Sequence, residues 1–173
     1  SDQKNPANID LLRSDNAVGK DKSTNTVDLE FFHRLSRVEV ELAAGEGVND
    51  AELAGMSITL GKQPVTADFN VLQNTLTAGQ DLATLTLNTA ADGKTASAII
   101  LPQEGVSGRN LELTLPGSTV LTWPVEADRT FEQGKKTIFN ITLKRTPVGT
   151  EVEVNATIQP WGTQGTVSGD LEI

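Results

Sequence analysis

From Val27 onward the chain is written in short apolar segments whose residues alternate one by one with polar ones, and this period of two constrains the fold more than any other feature. Val27, Leu29 and Phe31 share one parity, whereas Val38, Val40 and Leu42 share the opposite one. Successive side chains of a strand point to opposite faces, so such spacing collects the apolar residues on one face only if the backbone is extended. The parity change around Leu35 to Arg37 predicts a bulge or a bend. A helix competes here, because Phe31, Leu35, Val38 and Leu42 also recur at helical spacing. The strict alternation and β-branching of Val38-Glu39-Val40-Glu41-Leu42 favour the strand.

Further short apolar segments follow to the end of the chain: Met56 to Leu60, Val65 to Leu72, Leu82 to Leu87, Ala98 to Leu101, Leu111 to Leu115, Val120 to Val125, Thr137 to Leu143, Val152 to Ile158 and Thr166 to Ile173. Turn chemistry punctuates them at Gly61-Lys62, Asp92-Gly93, Ser107-Gly108, Pro116-Gly117, Gln133-Gly134 and Pro147-Val148-Gly149. Many short strands at this spacing, with no sustained helical pattern, predict an all-β sandwich or barrel of mainly antiparallel strands. Residues 1–26 are dominated by Asp, Asn, Ser and Lys and read as a polar linker or extended arm, with one apolar patch at Ile9, Leu11 and Leu12; residues 27–173 read as the sandwich domain.

The 173 residues suit one domain. A net charge of -9 disfavours attraction to nucleic-acid phosphates or anionic lipid. With no cysteine there are no disulfides, thiolate nucleophiles or cysteine-ligated metal sites. No apolar run approaches the roughly 20 residues that a membrane-crossing helix needs. Aromatic residues make up 4% of the chain, which leaves few stacking platforms for sugars or bases.

A search for chemistry finds little. The single histidine, His33, has no identifiable nucleophile or orienting acid and cannot supply a multi-histidine zinc site, so a half-buried structural role is favoured. Glu39, Glu41, Glu112, Glu151 and Glu153 occupy alternate strand positions, the pattern of solvent-facing residues and not of a glycosidase pair. The acidic loop from Gly45 to Glu52 lacks the spaced oxygen ligands of a calcium loop. No glycine forms a phosphate cradle. Asn140-Ile141-Thr142 and Asn155-Ala156-Thr157 match the N-glycosylation pattern but fall in predicted strands. No catalytic, cofactor-binding or metal-binding residue is therefore assigned.

Three segments, in order, resemble the fimbrillin and fimbrillin-like proteins of Bacteroidales type V pili. The run Val27 to Val38, with Phe31 and His33, is similar to the phenylalanine-x-histidine strand that opens the family's second domain. Phe131 to Leu143 resembles its phenylalanine, glycine-lysine turn and following strand, and Ile158-Gln159-Pro160-Trp161 its isoleucine-x-x-tryptophan; Leu101-Pro102 fits its leucine-proline strand end. The resemblance spans residues 27–173 and corresponds to the C-terminal half of a usual member. It implies a transthyretin-like β-sandwich in an exported protein of the outer membrane or fimbrium, made as a lipoprotein precursor, with no enzyme activity and no cofactor. The implied partners are other pilus subunits and a host protein or glycan.

In that family an arginine-specific protease commonly removes an N-terminal strand, and the exposed groove accepts a strand from a neighbouring subunit. Physically this is β-augmentation: main-chain hydrogen bonds supply affinity and alternate side chains set the register. The two terminal segments are the candidates for exchange, through Val152, Val154, Ala156, Ile158, Val167, Leu171 and Ile173, although completing their own domain explains them equally well. Arg13 is the candidate processing site. Trp161 is the candidate ligand contact if its ring forms a sugar platform; packing over the end of the sandwich is favoured instead. A monomeric carbohydrate- or protein-binding module is the alternative to a pilus component.

Overall fold

The computed structural model describes residues 8–15, 19, 29–145, 154–161 and 170–172, with side chains of 154–160 and 170–172 set aside. In chain order the elements are β1 (Leu12–Ser14), β2 (Phe31–His33), β3 (Ser36–Ala44), α1 (Asp50–Leu53), β4 (Ser57–Pro64), β5 (Ala67–Asn70) and β6 (Thr75–Ala78). They continue with β7 (Leu82–Thr86), β8 (Asn88–Thr89), β9 (Thr95–Ile100), β10 (Asn110–Thr114), β11 (Val120–Pro124), β12 (Lys135–Lys144), β13 (Val154–Pro160) and β14 (Asp170–Glu172). The predicted all-β class is what the chain adopts. Among the described residues α-helix is confined to the single turn α1.

Two sheets enclose the core. One has the order β11-β10-β4-β7; the other runs β13-β12-β3-β9-β8, with β14 beside β12. Residues 36–44 are a strand, so the helical reading of Phe31 to Leu42 is overturned. The physical reason is the inward row Val38, Val40 and Leu42, which alternates with Glu39 and Glu41 and packs on the facing sheet's Ile58, Leu60, Leu111 and Leu113. The parity change is real and marks a complete break: β2 ends at His33, Arg34 and Leu35 interrupt the strand, and β3 begins in a different sheet.

At the centre, β3 and β12 pair in parallel from Lys136 opposite Arg37 to Leu143 opposite Ala44. Phe139, Ile141 and Leu143 extend the buried row, and Trp123 meets Phe139 edge-on at 5.5 Å. On the other side of β3, β9 places the small Ala98 and Ala96 beside Val38 and Val40, and both alanines are buried in the same core. Each fully buried Leu, Ile or Phe contributes about 1.5–3 kcal/mol of transfer free energy.

Two local features depart from plain alternation. In β4 the register with β7 shifts between Leu60 and Gln63, and Lys62 takes a positive φ of 53° there. This bulge turns Gln63 into the interior. At the predicted Asp92-Gly93 turn, Gly93 has φ 73°, and a Cβ there would stand 1.6 Å from the Leu53 carbonyl oxygen, so only glycine fits.

The helical turn α1 lies in the acidic loop. Asn49 caps it, and Glu52 reaches back to the Asn49 N–H in a capping box. Glu52 also meets Arg145 at 2.6 Å; the Arg145 hydrogen bond holds its carboxyl below the usual carboxylate range. The acid at the end of this loop thus serves the local fold.

Candidate functional site

Arg13, His33 and Trp161 lie together at one end of the sandwich. There β1 pairs antiparallel with β2, placing Leu12 opposite His33, Arg13 opposite Phe32 and Ser14 opposite Phe31. Residues 12–14, within the stretch read as a polar arm, therefore form a strand, and Arg34 N–H donates to the Leu11 carbonyl at 2.8 Å to extend the attachment. Asp15 ties the arm further, meeting Arg13 Nε at 2.6 Å and Arg34.

The arm also supplies apolar side chains. Ile9 and Leu11 line a cleft of about 340 Å³ between the sheets, together with Leu35, Phe69, Leu76 and Leu85. The β5–β6 hairpin forms one wall, and its tip is fixed to the arm by Arg13 Nη1 donating to the Val71 carbonyl at 2.8 Å. Asn70 rigidifies this tip by accepting from Leu72 and Gln73 N–H, which leaves Leu72 95% exposed.

His33 stands between the arm and the C-terminal segment. On one side its Nδ1 lies 2.9 Å from Asp10 Oδ2, a close contact without hydrogen-bond geometry. On the other its ring stacks on Trp161, with centroids 3.6 Å apart and planes 7° from parallel. Trp161 is positioned by its backbone N–H donating to the Gly134 carbonyl at 3.0 Å, while Gly134 N–H donates to the Leu35 carbonyl at 2.9 Å. The turn that the sequence marked at Gln133-Gly134 thus joins the β2–β3 connection, β12 and the end of β13.

The candidate exchange residues sit along one edge of β12. Val154, Ala156 and Ile158 are opposite Ile141, Phe139 and Thr137 in an antiparallel ladder. Leu171 is opposite Leu143 in a parallel one. Val152, Val167 and Ile173 lie outside the described residues. Arg13 is in a paired strand with its guanidinium engaged, and one face of the Trp161 ring is occupied by His33.

Two arrangements were not read from the sequence. Arg109 is 0% exposed, with Nη2 donating to Gln103 Oε1 at 2.8 Å, its guanidinium 4.9 Å from the Phe131 ring centroid, and Gln103 donating in turn to Gln63 at 2.5 Å. Burial lowers the Arg109 pKa to about 10, which still leaves it charged at neutral pH, and its Nε and Nη1 make no hydrogen bond among the described residues. Burying such a group costs free energy, which its bond to Gln103 and its place against the Phe131 ring offset in part. The second is a polar cleft of about 390 Å³ on the outer face of the larger sheet, lined by Arg37, Glu39, Glu41, Asn88, Thr95 and Ser97. No aromatic ring lines it. Among the described residues no helix is long and apolar enough to cross a membrane.

A two-sheet sandwich with a strand-bearing arm laid over an interior cleft defines a structural or binding module, and the comparisons specify which. The fimbrillin-like family model matches residues 1–161, so the chain belongs to the fimbrillin-like family, whose members are structural proteins and not enzymes. A protein described as a fimbrium subunit of Bacteroides uniformis is 30% identical over 95% of this chain and 55% of its own length. A crystal structure described as a cell adhesion protein, also from Bacteroides uniformis, superposes with a TM-score of 0.78 at 28% identity, over 92% of this chain and 63% of that one. A second such structure, from Bacteroides fragilis, shares the fold with a TM-score of 0.54 at 17% identity, over 80% of this chain and 49% of that one. The chain thus spans between about half and two thirds of the length of these relatives.

Proposed function

We propose that the chain is a component of a bacterial surface pilus, exported to the outer membrane, which joins other pilus subunits by strand addition. The observation that carries this reading is that Ile9 and Leu11 of the arm line an open, largely apolar cleft between the sheets. In this reading the arm covers a groove that another strand fills once the arm has gone, burying alternate side chains there. Cleavage after Arg13 would free the segment carrying Ile9 and Leu11. Since Arg13 is paired with β2 and bonded to the hairpin tip, β1 must lift away before a protease can thread the chain.

The incoming strand in this proposal comes from the C-terminal segments, through Val152, Val154, Ala156 and Ile158 or Val167, Leu171 and Ile173. A host protein or glycan is the further partner class. The alternative of a monomeric sugar-binding module is weakened at Trp161, one face of which is covered by His33.

The test is limited digestion with an arginine-specific protease, followed by N-terminal sequencing and size-exclusion chromatography. A product beginning at Ser14 that forms polymers is expected. Removing residues 166–173 should leave a folded monomer that no longer polymerises. A Ser14 product that stays monomeric at high concentration, or a truncated chain that polymerises as well as the intact one, overturns the proposal.

A further inference from the structure

The phenylalanine-x-histidine segment and the isoleucine-x-x-tryptophan segment, far apart in sequence, meet in one stack. His33 belongs to β2, whose only ladder partner among the described residues is the arm strand β1. Trp161 follows immediately on β13, the strand along the outer edge of β12. The ring contact therefore links the N-terminal arm to a C-terminal strand.

We propose that His33 is a positioning residue that couples the arm to β13, so that the two ends of the chain are held or released together. This rests on the strand-addition reading and supplies its regulation. The arm holds the His33 backbone through the Leu12–His33 pairing and sets the Asp10 carboxylate against Nδ1 at 2.9 Å, and the imidazole meets Trp161 in near-parallel stacking at 3.6 Å. A ring held from both sides loses less freedom when the second contact forms than when the first does, which makes the two contacts cooperative. With the arm in place, β13 is pinned at its end and unavailable to another subunit. With the arm gone, the indole loses an oriented partner and β13 opens more often. Linkage requires the reverse as well: loosening Trp161 must loosen the arm.

The test uses the full-length chain and point variants. Hydrogen exchange of the β13 amides reads the opening of that strand, and exchange in β3 and β12 reports that the sandwich remains folded. Asp10→Ala should accelerate β13 exchange by about fivefold, the scale of one ring-stacking contact. In a His33→Ala background, adding Asp10→Ala should change β13 exchange by less than about 1.5-fold, because the connecting group is absent. His33→Phe keeps a flat ring for Trp161 but no partner for Asp10, so it should restore β13 protection while remaining insensitive to Asp10→Ala. In the reciprocal direction, Trp161→Ala should speed cleavage after Arg13 by a similar factor. Unchanged β13 exchange in Asp10→Ala, or an equal Asp10→Ala effect with and without His33, overturns the coupling. Polymer formation is not read in this experiment, so the coupling and the pilus assignment stand or fall separately.

Discussion

The two edges of β12 are built differently. On one side β3 runs parallel to it without interruption from Lys136 to Leu143. On the other side two strands share the edge: β13 covers Lys135 to Ile141 and β14 covers Thr142 to Lys144. The β3 side is completed by long strands whose inward residues, Val40 and Phe139 among them, are fully buried. The β13 side closes with segments near the C-terminus, tied at one end to the arm through Trp161 and His33. The β3 edge belongs to the buried centre, and the other is the edge that the proposed strand addition would exchange.

Phe139 offers a controlled way to break this comparison, because it pairs with Val40 on one side and Ala156 on the other. Val40→Pro is expected to cost about 4 kcal/mol or more, removing a ladder position and a buried side chain from a central strand, and circular dichroism should show no cooperative unfolding transition. The same change on the other edge, Ala156→Pro, should cost about 1–2 kcal/mol in denaturant unfolding, with loss of exchange protection confined to β13. Leu171→Pro in the three-residue β14 should shift stability by no more than about 0.5 kcal/mol. If Ala156→Pro unfolds the whole chain, the outer edge is part of the cooperative core and cannot be a replaceable strand.

The alternation in the sequence identifies the strands and their inward residues because burial on one face imposes it, and Val38, Val40 and Leu42 are in the core as their parity requires. Alternation names a face but not a neighbour. The parallel pairing of β3 with β12 was therefore not legible, nor was the meeting of His33 with Trp161, which depends on how distant segments dock. The arm's apolar contacts were partly visible, since Ile9, Leu11 and Leu12 form one apolar patch in an otherwise polar stretch. The helical turn α1 had a readable signal in Asn49-x-x-Glu52 that its acidic surroundings obscured. Gln63 and Arg109 escaped notice because a bulge reverses the parity of β4 and because a buried cation contradicts composition rules.

The parallel ladder at the centre also governs how this molecule comes into being. Arg37 and Lys136 are about a hundred residues apart, so the loop that must close before β3 and β12 can meet includes most of the domain. During synthesis or passage across a membrane, β3 therefore waits with one edge unpaired until residues 136–143 have arrived. Folding is expected to be slow for a domain of this size, and until β12 arrives the edge of β3 beside Val38, Val40 and Leu42 stays open. A carrier that shields apolar strands would help most at that stage, well before any question of assembly arises.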